Sequence, residues 1–416
     1  MTTEERTAGV RLSTREAAER LGVKPETVYA YVSRGLLGSR RAPGGRGSTF
    51  DPGEVDALAR RNRRAAQQPP VDDATGAVRT AITLIDGDRH YFRGVDATAL
   101  AERYGYEEVA EWLWTGVLRR GVRFTAPPQA LAAARRAVAA LPGHSGPMDR
   151  LRAIAVAAAV EDPLRFDLSP EAVLGAARGL IPTLVRALPA AGTAHQGEGG
   201  PARLLWSRLT ARPADEASLR VLDAALVLLI DHDLAASTLA VRIAASARAH
   251  PYAVVSAGLG ALDGPLHGAA SGLAHRMLAE VLDRGSAAAV VADHLRAGGP
   301  VPGLGHRLYR AEDPRAVMLL RLLEDVPYAE RALAAAREVA ATTARHAPAH
   351  PNVDLALAVL SVSSGMAPEA GETVFAVART AGWIAHALEE YEEPPLRMRP
   401  SGHYVGPRPP QPLPAP

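Results

Sequence analysis

The sequence predicts a mostly α-helical protein in which a small basic head precedes a much larger helical body. From residue 78 onward, apolar residues recur at three-to-four spacing in nearly every segment, which is typical of helices that bury one face. The charge is uneven, because residues 1–70 have 13 Lys and Arg against 8 Asp and Glu, and the rest has 34 against 37. A head of net charge +5 on a body of net charge −3 indicates two parts with different partners.

The composition excludes several classes of site. The 416 residues are 47% hydrophobic and 22% charged and include no cysteine, so disulfides, thiolate metal sites and cysteine nucleophiles are excluded. No basic-then-apolar run resembles a signal peptide, and the most apolar stretches, such as residues 224–230, are too short to cross a bilayer. We therefore expect a cytoplasmic protein.

The head, residues 10–66, has the pattern of two short helices and a hairpin. Ser13 and Glu16 form a capping box that opens a helix over residues 14–21, which Gly22 ends. Pro25 stands in a first-turn position, and residues 26–33 are predicted to form a second helix. Two short helices joined by a turn that contains Gly predict a helix-turn-helix. Residues 40–50 predict a basic hairpin, and a third helix follows from residue 51.

This head resembles the excisionase-like winged helix-turn-helix family. The matching residues are Leu12-Ser13-Thr14, Ala17-Ala18, Leu21-Gly22-Val23, Thr27-Val28 and Gly35-Leu36. The resemblance implies DNA binding, with the groove-facing and wing residues Lys24, Thr27, Tyr29, Arg34 and Arg46. The alternative is a packing or oligomerisation unit whose wing arginines are merely solvated. A dimeric body would help DNA binding by placing two heads on neighbouring half-sites.

The body elements follow a linker at residues 67–78. Two strands, 81–85 and 90–93, flank an Asp86-Gly87 turn. Apolar periodicity predicts helices over residues 97–104, 106–115, 128–140, 148–160, 170–188, 214–230, 237–249 and 372–390. Residues 407–416 form a Pro-rich tail, which we expect to be disordered or extended.

Three short segments of the body each set one ionisable residue among Gly, Pro or small neighbours. They are residues 264–268 with His267, 303–306 with His306, and 351–354 with Asp354. Two imidazoles and a carboxylate can remove a weakly acidic proton and stabilise the resulting enolate. Each residue alone also has a plainer interpretation: a histidine packed at a Gly-Pro turn, a loop histidine bonded to a carbonyl, and an aspartate at a helix start.

The body resembles the citrate synthase family over about residues 79–406. The similarity rests on the three segments together with Ile85-Asp86-Gly87, Tyr91-Phe92-Arg93-Gly94, residues 107–116, Pro147-Met148-Asp149, Asp231-His232-Asp233, Ala236-Ser237-Thr238, Asp313-Pro314-Arg315, Arg399-Pro400 and Tyr404-Val405-Gly406. The resemblance implies a citrate synthase-like helical body with a large part, residues 79–267 plus 367–406, and a small part, residues 268–366. It also implies a homodimer in which Arg399 completes the partner's site.

The resemblance implies that acetyl-CoA condenses with oxaloacetate to give citrate and CoA. Asp354 would be the base, His267 would bond the thioester oxygen, and His306 would polarise the ketone. The implied substrate-binding residues are His232, Arg315, Arg379 and Arg399, with Arg310 at a CoA phosphate. No tightly bound cofactor is implied, and the CoA thioester is a co-substrate.

Several of these residues have plainer alternatives. His232 could be a satisfied core histidine and Arg315 a surface ion-pair partner. Arg379 is the most informative, because it lies in an apolar helix and a buried guanidinium needs an anion. We reject a metal site at residues 231–233, because three consecutive helical residues cannot point to one face.

Three departures from the family pattern leave the substrate open. This chain has Leu229 where the family often has histidine, and Ala235 and Ser271 where it often has asparagine. A 2-methylcitrate synthase that uses propionyl-CoA is one alternative, since one methylene is worth only about 1–3 kcal/mol of discrimination. A metabolite-sensing transcriptional regulator is another, suggested by the basic head.

Overall fold

The computed structural model describes residues 11–33, 36–41, 47–66, 78–192, 199–264, 267–346, 350–398, 403–408 and 410–411. The chain forms two compact units, Met1–Arg79 and Thr80–Pro416. The predicted division of the second unit into a large and a small part stays a prediction. No helix in the described ranges is both long and apolar enough to span a membrane.

The first unit is a helix-turn-helix with a small sheet. Its elements are β1 (Leu12–Ser13), α1 (Thr14–Leu21), α2 (Pro25–Ser33), β2 (Ser39–Arg41), β3 (Ser48–Phe50) and α3 (Pro52–Ala66). The strands form an antiparallel sheet in the order β1-β3-β2, with Arg40 opposite Thr49. Strands β2 and β3 are the base of the predicted wing, whereas its tip at residues 42–46 lies outside the described residues.

The capping chemistry fixes the first helix as the sequence predicts. Ser13 Oγ accepts from the Glu16 amide at 3.3 Å, and Glu16 Oε2 accepts from the Ser13 amide at 2.7 Å. Gly22 ends α1 in the left-handed region at φ 67°. The buried side chains of Ala17, Val28 and Phe50 hold these elements around one small core.

The second unit begins with a three-stranded antiparallel sheet, followed by helices. The strands are β4 (Thr83–Asp86), β5 (Arg89–Phe92) and β6 (Val95–Asp96). The helices are α4 (Ala97–Arg103), α5 (Tyr106–Thr115), α6 (Pro128–Ala139), α7 (Pro147–Val160), α8 (Pro170–Ala187), α9 (Pro201–Leu209), α10 (Glu216–Leu228), α11 (Ala236–Ser246), α12 (Pro251–Leu262), α13 (Ala270–Arg284), α14 (Ala287–Arg296), α15 (Pro314–Leu323), a 3-10 turn (Pro327–Ala329), α16 (Glu330–Ala344), α17 (Val353–Ser363) and α18 (Ala370–Glu392).

Helix α18 is the centre of this unit. It is buried along most of its length and contacts α5, α8, α10, α11, α12, α13 and α17. A Cβ at Gly382 would lie 2.0 Å from the Ile230 carbonyl oxygen, so only glycine lets α18 approach the segment after α10. This close approach sets Arg379, one turn earlier, beside that segment.

The predicted helices are present, with ends that differ by a few residues. Helix α11 ends at Ser246 rather than at residue 249, and α10 ends at Leu228 rather than at residue 230. Residues 231–233 therefore lie beyond the helix, and Asp233 has a positive φ of 57°. Our geometric reason for rejecting a metal at this triplet was wrong, because it assumed helical spacing.

Candidate active site

Backbone pairing brings two of the three predicted segments together. The Gly305 amide donates to the His350 carbonyl at 2.8 Å, and the Asn352 amide donates to the Gly303 carbonyl at 3.0 Å. The Asn352 side-chain amide adds a bond to the Gly305 carbonyl at 2.8 Å. This short ladder sets the loop that ends in His306 beside the start of α17, which presents Asp354.

His306 is held as a neutral ring in a defined tautomer. Its Nδ1 accepts from the Leu308 amide at 3.0 Å, which leaves the proton on Nε2. Burial, with the Arg315 charge adding to it, lowers the pKa of His306 to about 4. At neutral pH the ring is thus a neutral hydrogen-bond donor through Nε2.

Asp354 lies in the first turn of α17, beside the loop that ends in His306. Asn352 caps the helix by accepting from the amides of Asp354 and Leu355 at 3.0 and 3.4 Å. Burial raises the pKa of Asp354 to about 6, although the Arg315 charge opposes that rise. A carboxylate with a raised pKa that is still ionised at pH 7 is suited to act as a general base.

Arg315 and Asp313 form a buried ion pair at the start of α15 that contacts the start of α17. Arg315 Nε and Nη2 donate to the two Asp313 carboxylate oxygens at 2.9 and 2.8 Å. Asp313 Oδ2 also accepts from the Val353 amide at 3.0 Å, which joins the start of α15 to the start of α17. Arg315 is 2% exposed, so the surface ion-pair interpretation was wrong.

His267 lies in the remaining predicted segment, residues 264–268, and bonds a buried serine. Its Nε2 lies 2.8 Å from Ser237 Oγ, at the first turn of α11. Burial, and then the Arg379 charge, lower the pKa of His267 to about 4, so this ring is also neutral at pH 7. The Phe375 ring lies between His267 and Arg379. Its centroid is 5.9 Å from that of the His267 ring and 4.4 Å from the Arg379 guanidinium carbon.

Arg379 is a buried cation with unpaired hydrogen-bond donors. It is 1% exposed, and its Nε donates to the Leu229 carbonyl at 2.8 Å. Its Nη1 and Nη2 have no hydrogen-bond partner among the residues that the structure describes. Burial lowers its pKa to about 10 against the opposing effect of Asp231, so the charge persists at neutral pH. A carboxylate would satisfy both terminal nitrogens at once.

Comparisons with known proteins show the family of the chain. Residues 73–401 match the family model described as citrate synthase, C-terminal domain. The chain is 31% identical over 355 residues to a citrate synthase of Haloferax volcanii, which spans 78% of this chain and 92% of that protein. The chain belongs to the citrate synthase family.

Further matches include a second curated relative, a solved structure and a second family model. A 2-methylcitrate synthase of Mycobacterium tuberculosis is 28% identical, over 76% of this chain and 84% of that protein. The citrate synthase of Thermoplasma acidophilum, solved with carboxymethyl coenzyme A and oxaloacetate, has a TM-score of 0.67 and 24% identity, over 83% of this chain and 99% of that one. Residues 11–63 match a helix-turn-helix domain, so the predicted head and citrate synthase-type body are both confirmed.

The remaining predicted residues of this citrate synthase-family site have different outcomes. His232 is 8% exposed, and its Nε2 bonds Tyr309 Oη at 2.8 Å, with the His306 ring 5.0 Å away. Arg310 is exposed, and its backbone amide donates to Asp88 Oδ1 at 2.7 Å. Arg399 lies outside the described residues.

Sequence reasoning missed several residues that build the site. Tyr309, Asp313 and Ser237 each contact a predicted site residue and lie within five positions of one. Asp313 and Ser237 also stand in motifs that carry the family resemblance, and that was a further signal. His90 is far away in sequence, and no pattern pointed to it.

The three departures have distinct structural consequences. Leu229 contributes its carbonyl to Arg379, a role that any side chain allows. Ala235 is the N-cap of α11 and provides no side-chain cap. Ser271 is buried, and its Oγ has no hydrogen-bond partner in the described part of the chain.

Proposed function

We propose that the body condenses acetyl-CoA with oxaloacetate to form citrate and CoA. The observation that supports this most strongly is the buried Arg379 guanidinium, whose two terminal nitrogens lack partners among the described residues. The Arg379 charge acts on the neutral His267, and the Arg315 charge acts on the neutral His306 and on Asp354, whose pKa is raised. A dianionic oxo acid supplies the anion that such a site needs. The Thermoplasma acidophilum relative, named for its complex with oxaloacetate and a CoA analogue, supports the same ligands.

In this proposal the chemistry begins at Asp354. Its carboxylate takes a methyl proton from the acetyl group, while a neutral His267 donates to the thioester oxygen where negative charge develops. That role requires the proton on His267 Nδ1, so that Nε2 accepts from the Ser237 hydroxyl at 2.8 Å. Stabilisation of charge that exists only in the transition state lowers the barrier without tightening ground-state binding.

Carbon–carbon bond formation follows. The enolate carbon attacks the ketone carbon of oxaloacetate, the carbon–oxygen π bond breaks, and the oxygen takes the proton of His306 Nε2–H to become the hydroxyl of citryl-CoA. The proton that Asp354 removed then restores the neutral His306 ring, so neither residue is consumed. Water then hydrolyses the thioester and releases citrate and CoA. Arg315 and Arg379, with Arg399 and His232, would hold the carboxylates, and Arg310 would contact a CoA phosphate. The sequence of steps calls for no resident cofactor.

The experiment is thiol release from acetyl-CoA plus oxaloacetate by the full chain. We expect turnover that Asp354→Ala abolishes without loss of the folded state, as judged by circular dichroism. Asp283, an acid far along α13 from the site, provides a matched control when changed to Ala. A pure and folded protein with no turnover above the Asp354→Ala variant would remove the proposal.

Propionyl-CoA is the second candidate substrate. The Mycobacterium tuberculosis relative named 2-methylcitrate synthase favours it. The same thiol assay with both thioesters decides between them, and the larger kcat/KM identifies the substrate. Equal values would mean that the acyl pocket does not discriminate by one methylene.

We also propose that two bodies form a dimer through an apolar face. Val156 and Val160 on α7 are 59% and 69% exposed, and Leu239 and Ile243 on α11 are 41% and 47% exposed. Helix α12 packs against both helices, so these side chains border one face. A second copy would bury them. Light scattering after size-exclusion chromatography should give a dimer that Ile243→Glu dissociates.

For the head we propose DNA binding. Lys24 and Tyr29 are exposed, Thr27 is partly exposed, and Arg40 and Arg41 on the wing strand are exposed. Arg34 and Arg46 lie outside the described residues. If the chain is a metabolite-sensing regulator, retardation of its own promoter DNA should depend on oxaloacetate or CoA. Absence of any salt-sensitive DNA binding would exclude this role.

A further inference from the structure

His90 occupies the second position of strand β5 and faces inward. Along the strand, Arg89 is exposed, His90 is 1% exposed, Tyr91 is partly buried and Phe92 is fully buried. The alternation sets His90 and Phe92 on the face that packs against the helices. The described residues offer no hydrogen-bond partner to either ring nitrogen of His90.

The surroundings of His90 are those of the candidate active site. Its ring centroid lies 5.2 Å from that of His232, in an edge-on arrangement, and His232 in turn lies 5.0 Å from His306. The charges of Arg315 and Arg379 act on the His90 ring, as do those of the carboxylates Asp231 and Asp313. The β4–β5 strand pair is anchored there as well, since Thr83 Oγ1 donates to Asp231 Oδ2 at 2.5 Å.

His90 is neutral throughout the working pH range. Burial, followed by the Arg315 charge, lowers its pKa to about 3. A neutral imidazole has one N–H donor and one acceptor nitrogen, and both are left unpaired here. In an apolar strand position a leucine or phenylalanine would pack without that penalty, so a buried and unpartnered imidazole indicates a ligand.

Other unpaired polar atoms lie in the same neighbourhood. They are Nη1 and Nη2 of Arg379 and Oδ1 of Asp231, from the residue next to His232. The two Arg379 nitrogens and the His90 ring N–H can donate to the oxygens of one small anion. We propose that His90 is a further substrate-binding residue, whose ring N–H donates to a carboxylate oxygen of the bound 2-oxo dicarboxylic acid alongside Arg379. This role rests on the proposed function and adds a neutral donor that discriminates acids with a second carboxylate from shorter ones.

The test compares His90→Phe with His90→Gln in the full chain. Oxaloacetate binding is measured by titration calorimetry without any thioester, and KM is measured for oxaloacetate and for acetyl-CoA separately. We expect His90→Phe to weaken oxaloacetate binding roughly tenfold or more, the equivalent of about 1.4 kcal/mol. Its KM for acetyl-CoA should change less than about twofold, and its ligand-free unfolding temperature should not fall. His90→Gln, which keeps a donor, should recover part of the affinity.

His275 supplies the control for replacing a buried histidine. It is 8% exposed on α13, and its Nδ1 bonds Ser361 Oγ at 2.8 Å, so His275→Phe should lower stability without changing oxaloacetate affinity. Wild-type affinity in His90→Phe would overturn the role of His90 alone. Equal losses of stability and affinity in both variants would identify a structural residue. A wild-type chain that does not bind oxaloacetate would remove the proposed function itself.

Discussion

Gly303 is the position at which a single methyl group should separate the segments that present His306 and Asp354, the proposed catalytic residues. It has φ +80°, and a Cβ there would lie 2.8 Å from Leu355 Cβ and 3.1 Å from Leu355 Cα. Leu355 follows Asp354 in the first turn of α17, and the Gly303 carbonyl accepts from the cap residue Asn352. Gly303→Ala therefore pushes directly on the segment that presents the proposed base.

Two costs add at this position. A side chain in the left-handed region costs roughly 1–2 kcal/mol, and overpacking of a filled site costs roughly 1–3 kcal/mol. We expect Gly303→Ala to lower the free energy of unfolding of the body by about 2–5 kcal/mol. Because a displacement of about 1 Å at a reacting group can cost on the order of 100-fold in rate, kcat should fall by about that factor.

Gly285 gives the matched control. It ends α13 at φ +65°, and a Cβ there meets nothing within 4 Å, so Gly285→Ala has only the backbone cost of about 1–2 kcal/mol. Urea unfolding followed by circular dichroism gives the stabilities, and thiol release gives kcat. If Gly303→Ala keeps wild-type kcat and loses no more stability than Gly285→Ala, the contact with Leu355 does not position Asp354.

Four other predictions follow from three single groups. Because Asp354 must be ionised to act as base, kcat/KM should fall as pH drops through about 6, and a profile flat to pH 4 would exclude it. The raised pKa of Asp354 also predicts that the free energy of unfolding falls as pH rises from about 4 to about 6. Asp354→Asn should lose less of that free energy over the same pH window, which chemical unfolding at each pH measures. Asp88 accepts from the backbone amides of Arg310 and Ala311, in the loop that follows His306. Asp88→Ala should therefore raise the KM of both substrates by roughly tenfold, about 1.4 kcal/mol, with circular dichroism unchanged. An unchanged KM would show that this contact does not order the loop after His306. Lys24→Ala should reduce the slope of log affinity for DNA against log salt by about 1, whereas Glu26→Ala should not, and identical slopes would place Lys24 away from the phosphates.

The sequence predicts the fold well wherever local chemistry decides it. The capping box at Ser13 and the Gly22 stop predict α1 to the residue, and apolar periodicity predicts α5 to the residue. Helix α10 shows the limit of the method, because its apolar run continues to Ile230 while the helix ends at Leu228. The close packing of Gly382 on the Ile230 carbonyl, which is a tertiary contact, accompanies that early end.

The candidate site is predictable only in part, because its members meet through contacts between distant segments. Short motifs identify His267, His306 and Asp354 as candidates but do not bring them together. The Gly303–Asn352 and Gly305–His350 backbone bonds bring the His306 and Asp354 segments together, and sequence spacing contains no trace of these bonds. Arg379 is the exception, since an arginine in an apolar helix predicts its own burial and its need for an anion.

A chain of ion pairs and hydrogen bonds connects Asp231 with the C-terminal segment. Arg397 donates to both Glu390 carboxylate oxygens at 2.8 and 2.6 Å, and Glu390 accepts from Arg242 Nε at 3.2 Å. Arg242 also donates to His386 Nδ1 at 2.8 Å, and His386 Nε2 lies 3.2 Å from Asp231 Oδ2. Breaking one buried pair leaves a second charge uncompensated, which costs about 3–5 kcal/mol. The position of Asp231, and of His232 after it, is therefore coupled to the segment that leads to Arg399.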